Sequence, residues 1–456
     1  MKTKHTRHGS WKNPPPQNLR WKGVVEGFYG KPWSAAARCR LFPFMREKRL
    51  NTYIYAPKSD PFHRRNWRQP YPPAQKKSLS RLTAEARKHG IAFFWAVSPG
   101  LSIRYDDAQD LNAVASRLFE AADFGASGFA VFFDDLPAGI HAKHGKFPSL
   151  AAAQAHVTNR LFRLLGRKLP SPTLFFCPTL YWGTEPAQYL KTLGKQLDGD
   201  IQIFWTGPMV VSPEITAAQA RKMTEILNRP PLLWDNYPVN DYNPNRLNLG
   251  PVMGRDPDLP ALVSGYFANP MNQPEASLIP LETIADFLRD PHGYNPRSSW
   301  KRAFRRAAGG GPSRALLIAA GLLRPGFFPG EPQPNLAAAM RRFLDAPDPA
   351  DERSAAAALG KELALVRASA ARTAAVLKRN GRLYTEIKPF LKKIELSAVA
   401  AESALRCRFS GEKEKEKACR AAEKTLKKAL SLPHQAASGL IEDFAEILLE
   451  RNLTGT

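Results

Sequence analysis

Short apolar runs alternate with longer amphipathic stretches over the first 290 residues of the chain. The apolar runs are rich in β-branched and aromatic residues and end at Gly, Pro, Asn or Asp, which is typical of strands buried on both faces. Eight strands are predicted, at 21–30, 51–57, 91–97, 128–133, 173–178, 201–205, 232–236 and 261–267. Helical periodicity between and after them predicts helices at 34–50, 78–89, 107–124, 149–167, 185–197, 213–228 and 282–288.

Eight strands that alternate with helices predict an α/β fold, namely a (β/α)8 TIM barrel over residues 21–290. An open doubly wound sheet is the alternative. In that fold a glycine-rich loop follows the first strand and opens a helix. Here Gly27 and Gly30 are followed at once by Pro32, and their spacing does not match that loop. The barrel is therefore the preferred prediction.

The sequence changes in character after residue 290. A Pro- and Gly-rich break at 325–334 precedes Ala-, Leu-, Lys- and Glu-rich segments, which are predicted to be helices at 335–345, 351–379, 384–408, 413–430 and 437–451. Apolar residues recur in them at helical spacing. Residues 291–456 are therefore predicted to form an all-α helical-bundle domain. Residues 1–20, which are basic and rich in proline, are predicted to be a flexible tail.

Charge and cysteine usage bear on partners and compartment. The formal net charge of +25 favours anionic partners such as nucleic acid, phospholipid headgroups or an acidic polysaccharide. The basic residues are spread along the whole chain without a recognisable nucleic-acid module, so no dedicated nucleic-acid site is expected. Neither a signal peptide nor a membrane span is predicted. Cys39, Cys177, Cys407 and Cys419 lack paired or metal-ligand spacing, which indicates a reducing compartment and predicts a cytoplasmic location.

The predicted strand at 128–133 runs directly into two adjacent carboxylates, Asp134 and Asp135, and is stopped by Pro137. Neighbouring side chains of a strand point to opposite faces, so the two acids should project differently. Alone, such a pair is most simply explained as the start of a turn. In a (β/α)8 barrel, however, the active site is built from the C-terminal strand ends. Both residues are therefore candidates for catalysis.

Polar and aromatic residues collect at the other predicted strand ends as well. Taken singly, Lys58 is explained as an exposed lysine, Trp234 as barrel core, and Asn236 as a turn former. Their shared position is the stronger signal, because aromatic faces stack on a sugar ring while amides and carboxylates bind its hydroxyls. The candidate sugar-site residues are Gly27, Lys58, Tyr181, Trp234, Asn236, Asp241 and Asn269.

Two acids at one strand end suggest glycoside hydrolysis. Most glycosidases place two carboxylates on either side of the scissile bond, which consecutive residues cannot easily do. An adjacent pair fits substrate-assisted catalysis better, in which the 2-acetamido group of the sugar is the nucleophile. One acid then orients that group, and the other protonates the leaving oxygen.

A metal site is the alternative explanation of the acid pair. His141 and His144 follow it at a spacing of i and i+3 and would add nitrogen ligands. Their segment is rich in Gly and Lys, which is typical of a mobile loop. We therefore expect surface histidines and no metal.

The strand ends resemble those of glycoside hydrolase family 84, the retaining β-N-acetylglucosaminidases that include protein O-GlcNAcases and bacterial hyaluronidase-like enzymes. The matching runs cover nearly the whole barrel in order: Gly23–Gly30, Asn51–Lys58, Phe132–Asp135, Cys177–Thr179 with Tyr181, Trp205–Pro208, Trp234–Asn236 with Asn240–Asp241, and Asn269–Pro270. The resemblance implies that Asp134 polarises the acetamido group and that Asp135 is the general acid/base. It implies retention through an oxazoline intermediate, without a metal or other cofactor. It also implies that Trp234 walls the pocket and that the sugar is held by Gly27, Lys58, Tyr181, Asn236, Asp241 and Asn269.

The predicted function is removal of terminal β-linked N-acetylglucosamine from a glycoconjugate. Three alternatives stay open: an amino-sugar-binding barrel without catalysis, a hydrolase of an anionic glycosaminoglycan or cell-wall fragment, and docking of the basic helical region on an anionic polymer. The expected partners are an N-acetylglucosamine-bearing glycoconjugate and, through the helical domain, a second copy of the chain. No membrane partner is expected. The loop after Asp135 carries no recognisable motif.

Overall fold

The computed structural model describes residues 19–140, 144–185, 187–310, 314–323 and 334–454. Within them, eight parallel strands pair in chain order and close into a barrel through the pairing of the last strand with the first. The strands are β1 (Trp21–Glu26), β2 (Thr52–Tyr55), β3 (Ala92–Val97), β4 (Gly128–Phe132), β5 (Leu174–Cys177), β6 (Gln202–Trp205), β7 (Leu232–Asp235) and β8 (Gly265–Ala268). The predicted (β/α)8 barrel is confirmed.

Helices alternate with the strands and then continue as a helical domain, as predicted. Those of the barrel are α1 (Ala35–Glu47), α2 (Pro73–Lys88), α3 (Ala108–Asp123), α4 (Leu150–Lys168), α5 (Gln188–Gln196), α6 (Ala217–Leu227), the single-turn α7 (Leu259–Leu262) and α8 (Pro274–Arg289). Those that follow are α9 (Pro296–Ala307), α10 (Arg314–Gly321), α11 (Pro334–Leu344), α12 (Pro349–Leu377), α13 (Gly381–Phe409), α14 (Glu412–Leu430) and α15 (Leu440–Thr454).

Capping side chains set where several helices begin. At the start of α3, Asp107 accepts the backbone N–H of Gln109 at 2.7 Å. At the start of α6, the side chains of Thr216 and Gln219 each accept the backbone N–H of the other, which makes a capping box. This box explains why α6 begins at Ala217 rather than at the predicted residue 213.

Alternate strand residues divide the barrel core into two layers. In β4, Ala130 and Phe132 belong to a buried cluster inside the barrel, whereas Phe129 and Val131 belong to the cluster between strands and helices. Aromatic rings fill the interior edge to face, as with Phe132 against Phe204 at 5.8 Å between ring centroids. Because side chains fill the interior, a ligand site has to lie at the strand ends.

The helical domain is attached to the last helix of the barrel. Met271, in the loop after β8, belongs to the same buried cluster as Trp300 of α9. From α13, the Glu386 carboxylate accepts the backbone N–H groups of Glu275 at 3.2 Å and of Ala276 at 2.8 Å. These N–H groups lie in the first turn of α8, where no helical carbonyl can accept them. The helical domain thus caps the helix that follows the eighth strand.

Two predicted boundaries near the eighth strand are wrong. β8 comprises Gly265–Ala268 rather than 261–267, because Leu259–Leu262 forms a helical turn with Pro260 near its start. Helix α8 begins at Pro274 rather than at residue 282. Proline lacks a backbone N–H, and its fixed φ suits the first turn of a helix, so it marks a start at both places.

The prediction that the cysteines are unpaired is wrong for two of the four. Cys407 of α13 and Cys419 of α14 form a disulfide bond, with their Cα atoms 5.2 Å apart. Cys39 and Cys177 are free. The pair was missed because it depends on α14 folding back along α13, which the spacing of the cysteines does not reveal. This removes one argument for a reducing compartment, and the cytoplasmic location stays a prediction.

Three sequence-based predictions fall wholly or largely outside the described residues: the tail at 1–20, the break at 325–334, and the surface position of His141. For the helices that the structure describes, length and hydropathy together fall short of what a membrane span requires.

Candidate active site

Asp134 continues the inward-facing side of β4. Ala130 and Phe132 point into the barrel, so Asp134 lies one step further along the same face, at the C-terminal strand end. It is 5% exposed. Its Oδ2 forms a buried ion pair with Nζ of Lys58, which follows β2. Its Oδ1 is buried and has no hydrogen-bond partner among the described residues. Asp134 is therefore a fixed carboxylate with one oxygen still able to accept a hydrogen bond.

Asp135 departs from strand geometry. Its φ of +52° lies in the left-handed region, which is unfavourable for most residues and better tolerated by Asp. In a regular strand its side chain would point outward, away from Asp134. Instead its carboxylate accepts two hydrogen bonds, from the Tyr29 hydroxyl at 2.9 Å and from the Tyr181 hydroxyl at 2.6 Å. The two adjacent acids thus have different surroundings, since one is buried beside a lysine and the other is exposed between two phenols.

Both tyrosines act as hydrogen-bond donors to Asp135. Burial, and after it the neighbouring Asp135 carboxylate, raises the pKa of Tyr29 and of Tyr181 well above the ordinary value for a phenol. Both hydroxyls therefore keep their protons at neutral pH and hold the carboxylate in place. The Lys58 ammonium lies 5.9 Å from the centre of the Tyr29 ring, within the range of a cation–π contact.

A second polar group joins the ends of β1, β7 and β8. The Gly27 N–H donates to Asn269 Oδ1 at 3.3 Å, and Asn269 Nδ2 donates to Asn236 Oδ1 at 2.9 Å. Trp234 Nε1 donates to the same Asn236 oxygen at 2.9 Å. A Cβ at Gly27 would lie 2.3 Å from Trp234 Cζ2. Only glycine leaves room for the indole, so Gly27 determines where Trp234 lies.

Asp241 connects the loop after β7 with the loop after β1. Its Oδ2 accepts the backbone N–H of Tyr29 at 2.7 Å. Burial raises the pKa of Asp241 above its ordinary value. Tyr29 is therefore held by Asp241 through its backbone while its hydroxyl holds Asp135.

These residues surround one cavity of about 370 Å³. Sites for small molecules are typically about 300–1,000 Å³ in volume. All nine residues proposed from the sequence line this cavity: Gly27, Lys58, Asp134, Asp135, Tyr181, Trp234, Asn236, Asp241 and Asn269. The fold thus brings together side chains from strand ends as far apart in sequence as β1 and β8.

Other lining residues had no assigned role in the sequence analysis. They include Tyr29, Cys177, Val210, Val211 and Tyr242. Tyr29 lies in the glycine-rich run after β1, so its position was a usable signal. Val210 and Tyr242, which are 40% and 52% exposed, lie in loops where no spacing distinguishes them from other surface residues.

Among the described residues, the acid pair does not form part of a cluster suited to a metal. In the part of the chain that the structure describes, no three His, Cys, Asp or Glu side chains are arranged to hold a metal ion. His141, one of the two histidines of the alternative metal site, lies outside the described residues. Lys58 already neutralises Asp134, which disfavours a cation at that carboxylate.

Curated relatives are similar to the barrel. Protein O-GlcNAcases of Rattus norvegicus and Mus musculus are each 38% identical to this chain over 274 residues. The matched segment makes up 59% of this chain and 30% of each relative, so the chain covers less than a third of their length.

Solved structures are similar over nearly the whole chain. A mutant form of an O-GlcNAc hydrolase of Thermobaculum terrenum has a TM-score of 0.88 and is 31% identical, covering 96% of this chain and 97% of that one. CpGH84B has a TM-score of 0.84 and is 27% identical, covering 94% and 77%. A family model described as beta-N-acetylglucosaminidase matches residues 22–320, more than half of the chain. The resemblance seen at the strand ends is confirmed, and the chain belongs to this beta-N-acetylglucosaminidase family, glycoside hydrolase family 84.

Proposed function

We propose that this protein is a retaining exo-β-N-acetylglucosaminidase, which hydrolyses terminal β-linked N-acetylglucosamine from a glycoconjugate by substrate-assisted catalysis. The observation that carries the proposal is the different setting of two adjacent acids in one cavity. Asp134 is paired with Lys58 on one side only, and Asp135 is held by two phenols. Consecutive residues cannot straddle the scissile bond as acid and nucleophile, so the nucleophile is proposed to come from the substrate.

In the first step, Asp134 Oδ1 accepts the N–H of the sugar's acetamido group. This contact orients the acetamido carbonyl oxygen and increases its electron density, so that it attacks the anomeric carbon. The bond between that carbon and the glycosidic oxygen breaks, and Asp135 gives its proton to the departing oxygen. The products of this step are the released aglycone and a bicyclic oxazoline in its N-protonated form, whose N–H still donates to the Asp134 carboxylate.

In the second step, Asp135 acts as a base. It removes a proton from water as the water oxygen attacks the anomeric carbon, and the bond to the acetamido oxygen breaks. The acetamido group is restored, and Asp135 is again protonated for the next cycle. Two displacements at one carbon give net retention of configuration.

The remaining cavity residues are proposed to bind the sugar. Lys58 neutralises Asp134 and keeps its free oxygen oriented. Polar groups for the sugar hydroxyls come from Tyr181, Asn236, Asp241 and Asn269. Trp234 supplies an apolar wall for the sugar ring.

The aglycone is proposed to be a protein side chain, since the relatives with 38% identity are named protein O-GlcNAcases. A second candidate is an anionic polysaccharide or cell-wall fragment, which the net charge of +25 favours. If the aglycone is a protein side chain, we expect neutral and acidic O-GlcNAc peptides to be hydrolysed equally well and the polysaccharides not to be hydrolysed. A strong preference for the anionic polymer, lost as salt is added, is expected from the second.

The function is tested by release of nitrophenol from 4-nitrophenyl β-N-acetylglucosaminide, with and without a thiazoline analogue of the oxazoline. Turnover that the thiazoline blocks and that a chelator leaves unchanged is the expected result. A folded protein that binds N-acetylglucosamine without releasing product would instead identify an amino-sugar-binding barrel.

A further inference from the structure

We propose that Arg64 is a positioning residue for Asp135, which it holds through the Asp135 backbone and through Tyr29. The assignment rests on the proposed function, in which Asp135 is the general acid/base. Arg64 lies in the loop that follows β2, six residues beyond Lys58. No sequence pattern marks Arg64, and it does not line the sugar cavity.

The Arg64 side chain reaches from its own loop to three other strand ends. Its Nη2 donates to the backbone carbonyl oxygen of Asp135 at 3.0 Å, and its Nη1 lies 3.4 Å from Ser98 Oγ, after β3. Its guanidinium carbon lies 6.0 Å from the centre of the Tyr29 ring, after β1. One planar group therefore contacts both the acid and a residue that holds that acid.

The guanidinium is buried, with Arg64 only 7% exposed. A buried guanidinium usually has a carboxylate partner, since an unpaired charge is costly to remove from water. Within the described ranges, no Asp or Glu oxygen forms an ion pair with Arg64, and its donors go instead to a carbonyl and a hydroxyl. A cation kept in such a costly place without an ion pair is poorly explained by packing alone.

The loop that carries Arg64 is fastened to β3. The Ser98 N–H donates to the His63 carbonyl at 2.8 Å, and His63 Nδ1 lies 2.7 Å from the Ala96 carbonyl oxygen. Burial lowers the pKa of His63 to about 3, so the ring is neutral at physiological pH and Nδ1–H donates. Arg64 thus starts from a fixed backbone beside the strand that neighbours β4.

Asp135 needs such a support because its backbone is in the left-handed region, with φ of +52°. If the peptide after Asp135 turned back toward extended geometry, the side chain would swing outward and lose both phenols. The bond from Arg64 to the Asp135 carbonyl holds this peptide in the orientation that brings the carboxylate to the cavity. Asp134 and Lys58 do not depend on that bond.

The proposal therefore separates two halves of the reaction. Loss of Arg64 should weaken protonation of the leaving group while acetamido attack, which uses Asp134, persists. A substrate with a poor leaving group needs that proton, and a 2,4-dinitrophenyl glycoside does not. For a 4-methylumbelliferyl glycoside, which has the poorer leaving group, Arg64→Met should lower kcat/KM on the order of 10²-fold, the low end of what general acid catalysis contributes. For the dinitrophenyl glycoside, the same variant should lower kcat/KM by less than about 3-fold.

The dinitrophenyl substrate gives a second readout. Its first step stays fast in Arg64→Met, but the second step still needs Asp135 as a base. Both kcat and KM should therefore fall together for this substrate, because the intermediate accumulates. Arg64→Lys keeps one donor for the Asp135 carbonyl and should recover part of the loss. Arg65→Met, a change at the exposed neighbour, should leave all constants within about 2-fold of wild type.

A double-mutant cycle with Asp135→Asn completes the test. If Arg64 acts through Asp135, Arg64→Met should cost little further activity once the acid is gone. Two results in a protein that is still folded would show that Arg64 is merely structural: activity losses of the two single variants that multiply in the double variant, or an equal loss of activity on both leaving groups. Either result would overturn the assignment of Arg64 while the proposed function stands. A wild-type protein without thiazoline-sensitive activity would overturn both.

Discussion

Two buried lysine–carboxylate pairs, one in each part of the molecule, differ in what surrounds them. In the helical domain, Lys393 of α13 bonds to the Ala429 carbonyl at 2.8 Å and to Glu442 at 3.2 Å, and Glu442 also accepts from Ser397 at 2.8 Å. Ala429 lies near the end of α14, and its carbonyl also accepts the backbone N–H of Leu432 at 3.1 Å. This pair therefore completes the packing of three helices.

In the barrel, Lys58 and Asp134 form the same kind of pair at the edge of a cavity. Here one carboxylate oxygen has no partner within the described residues, and the next residue is held in an unfavourable backbone conformation. Incomplete pairing and strain are costly to stability, and they occur where a substrate would supply what is missing. Completeness of hydrogen bonding, rather than burial or charge, therefore separates the pair that we propose to be functional from the structural one.

The largest effect is expected from Asp134→Asn. Asparagine keeps an acceptor for Lys58 but no longer carries the charge that stabilises the developing positive acetamido nitrogen. We expect kcat/KM for 4-nitrophenyl β-N-acetylglucosaminide to fall on the order of 10³-fold, as when one preorganised electrostatic contact is lost. Retention of more than a tenth of the wild-type rate would mean that the pair in the barrel is structural after all.

The matched change in the helical domain is Glu442→Gln. It leaves Lys393 without its buried counter-charge and should lower the free energy of unfolding by about 3 kcal/mol, measured by chemical denaturation. The kcat/KM per folded molecule should stay within about 2-fold of wild type. Glu446→Gln, at an exposed position of the same helix, is the control and should change stability by less than about 0.5 kcal/mol. A large loss of activity in folded Glu442→Gln would contradict the division of roles.

Gly27→Ala tests whether the position of Trp234, the proposed apolar wall of the sugar site, matters for activity. Since the added Cβ would lie 2.3 Å from the Trp234 ring, the indole has to move. We expect kcat/KM to fall at least about 10-fold from misplacement of the wall. Gly166→Ala, in α4 where a Cβ meets nothing within 4 Å, is the control and should preserve activity. Equal behaviour of the two variants would show that Trp234 is not held by Gly27.

The smallest effect concerns Glu386, which links the two regions. Burial, aided by the charge of Glu275, raises the pKa of Glu386 from 4.5 to about 7. Between these pH values the folded protein keeps a proton that the unfolded chain has lost, so stability falls as pH rises. Glutamine does not titrate, so the free energy of unfolding of Glu386→Gln should rise relative to that of wild type between pH 5 and pH 8. The expected rise is only about 1 kcal/mol, because solvent partly screens the Glu386 carboxylate.

A stability difference between these two proteins that does not change with pH would refute the shifted pKa of Glu386. Arg40 and Arg382, which pair with the adjacent Glu275, are the charged neighbours that would then be expected to hold Glu386 ionised. Measurement of thermal unfolding at several pH values decides between these results.

The barrel was predictable because each strand and helix has its own local pattern. The cavity residues were predictable because each lies at the C-terminal end of a strand or in the loop that follows it. The conformation of Asp135 was not predictable, because strand alternation places it on the outer face of β4 and only tertiary contacts hold its φ of +52°. Arg64 and Glu386 were missed for a similar reason. Their partners lie 71 and 110 residues away, and no local spacing connects them.

The central claim, that the sugar's own acetamido group is the nucleophile, is tested most directly with substrates in which fluorine replaces one, two or three acetamido hydrogens. Fluorine withdraws electrons from the carbonyl oxygen and hardly changes the size of the acetamido group. If that oxygen, oriented by Asp134, is the nucleophile, kcat/KM should fall steeply with each added fluorine. A rate that is independent of fluorination would mean that a group of the protein, and not of the substrate, attacks the anomeric carbon.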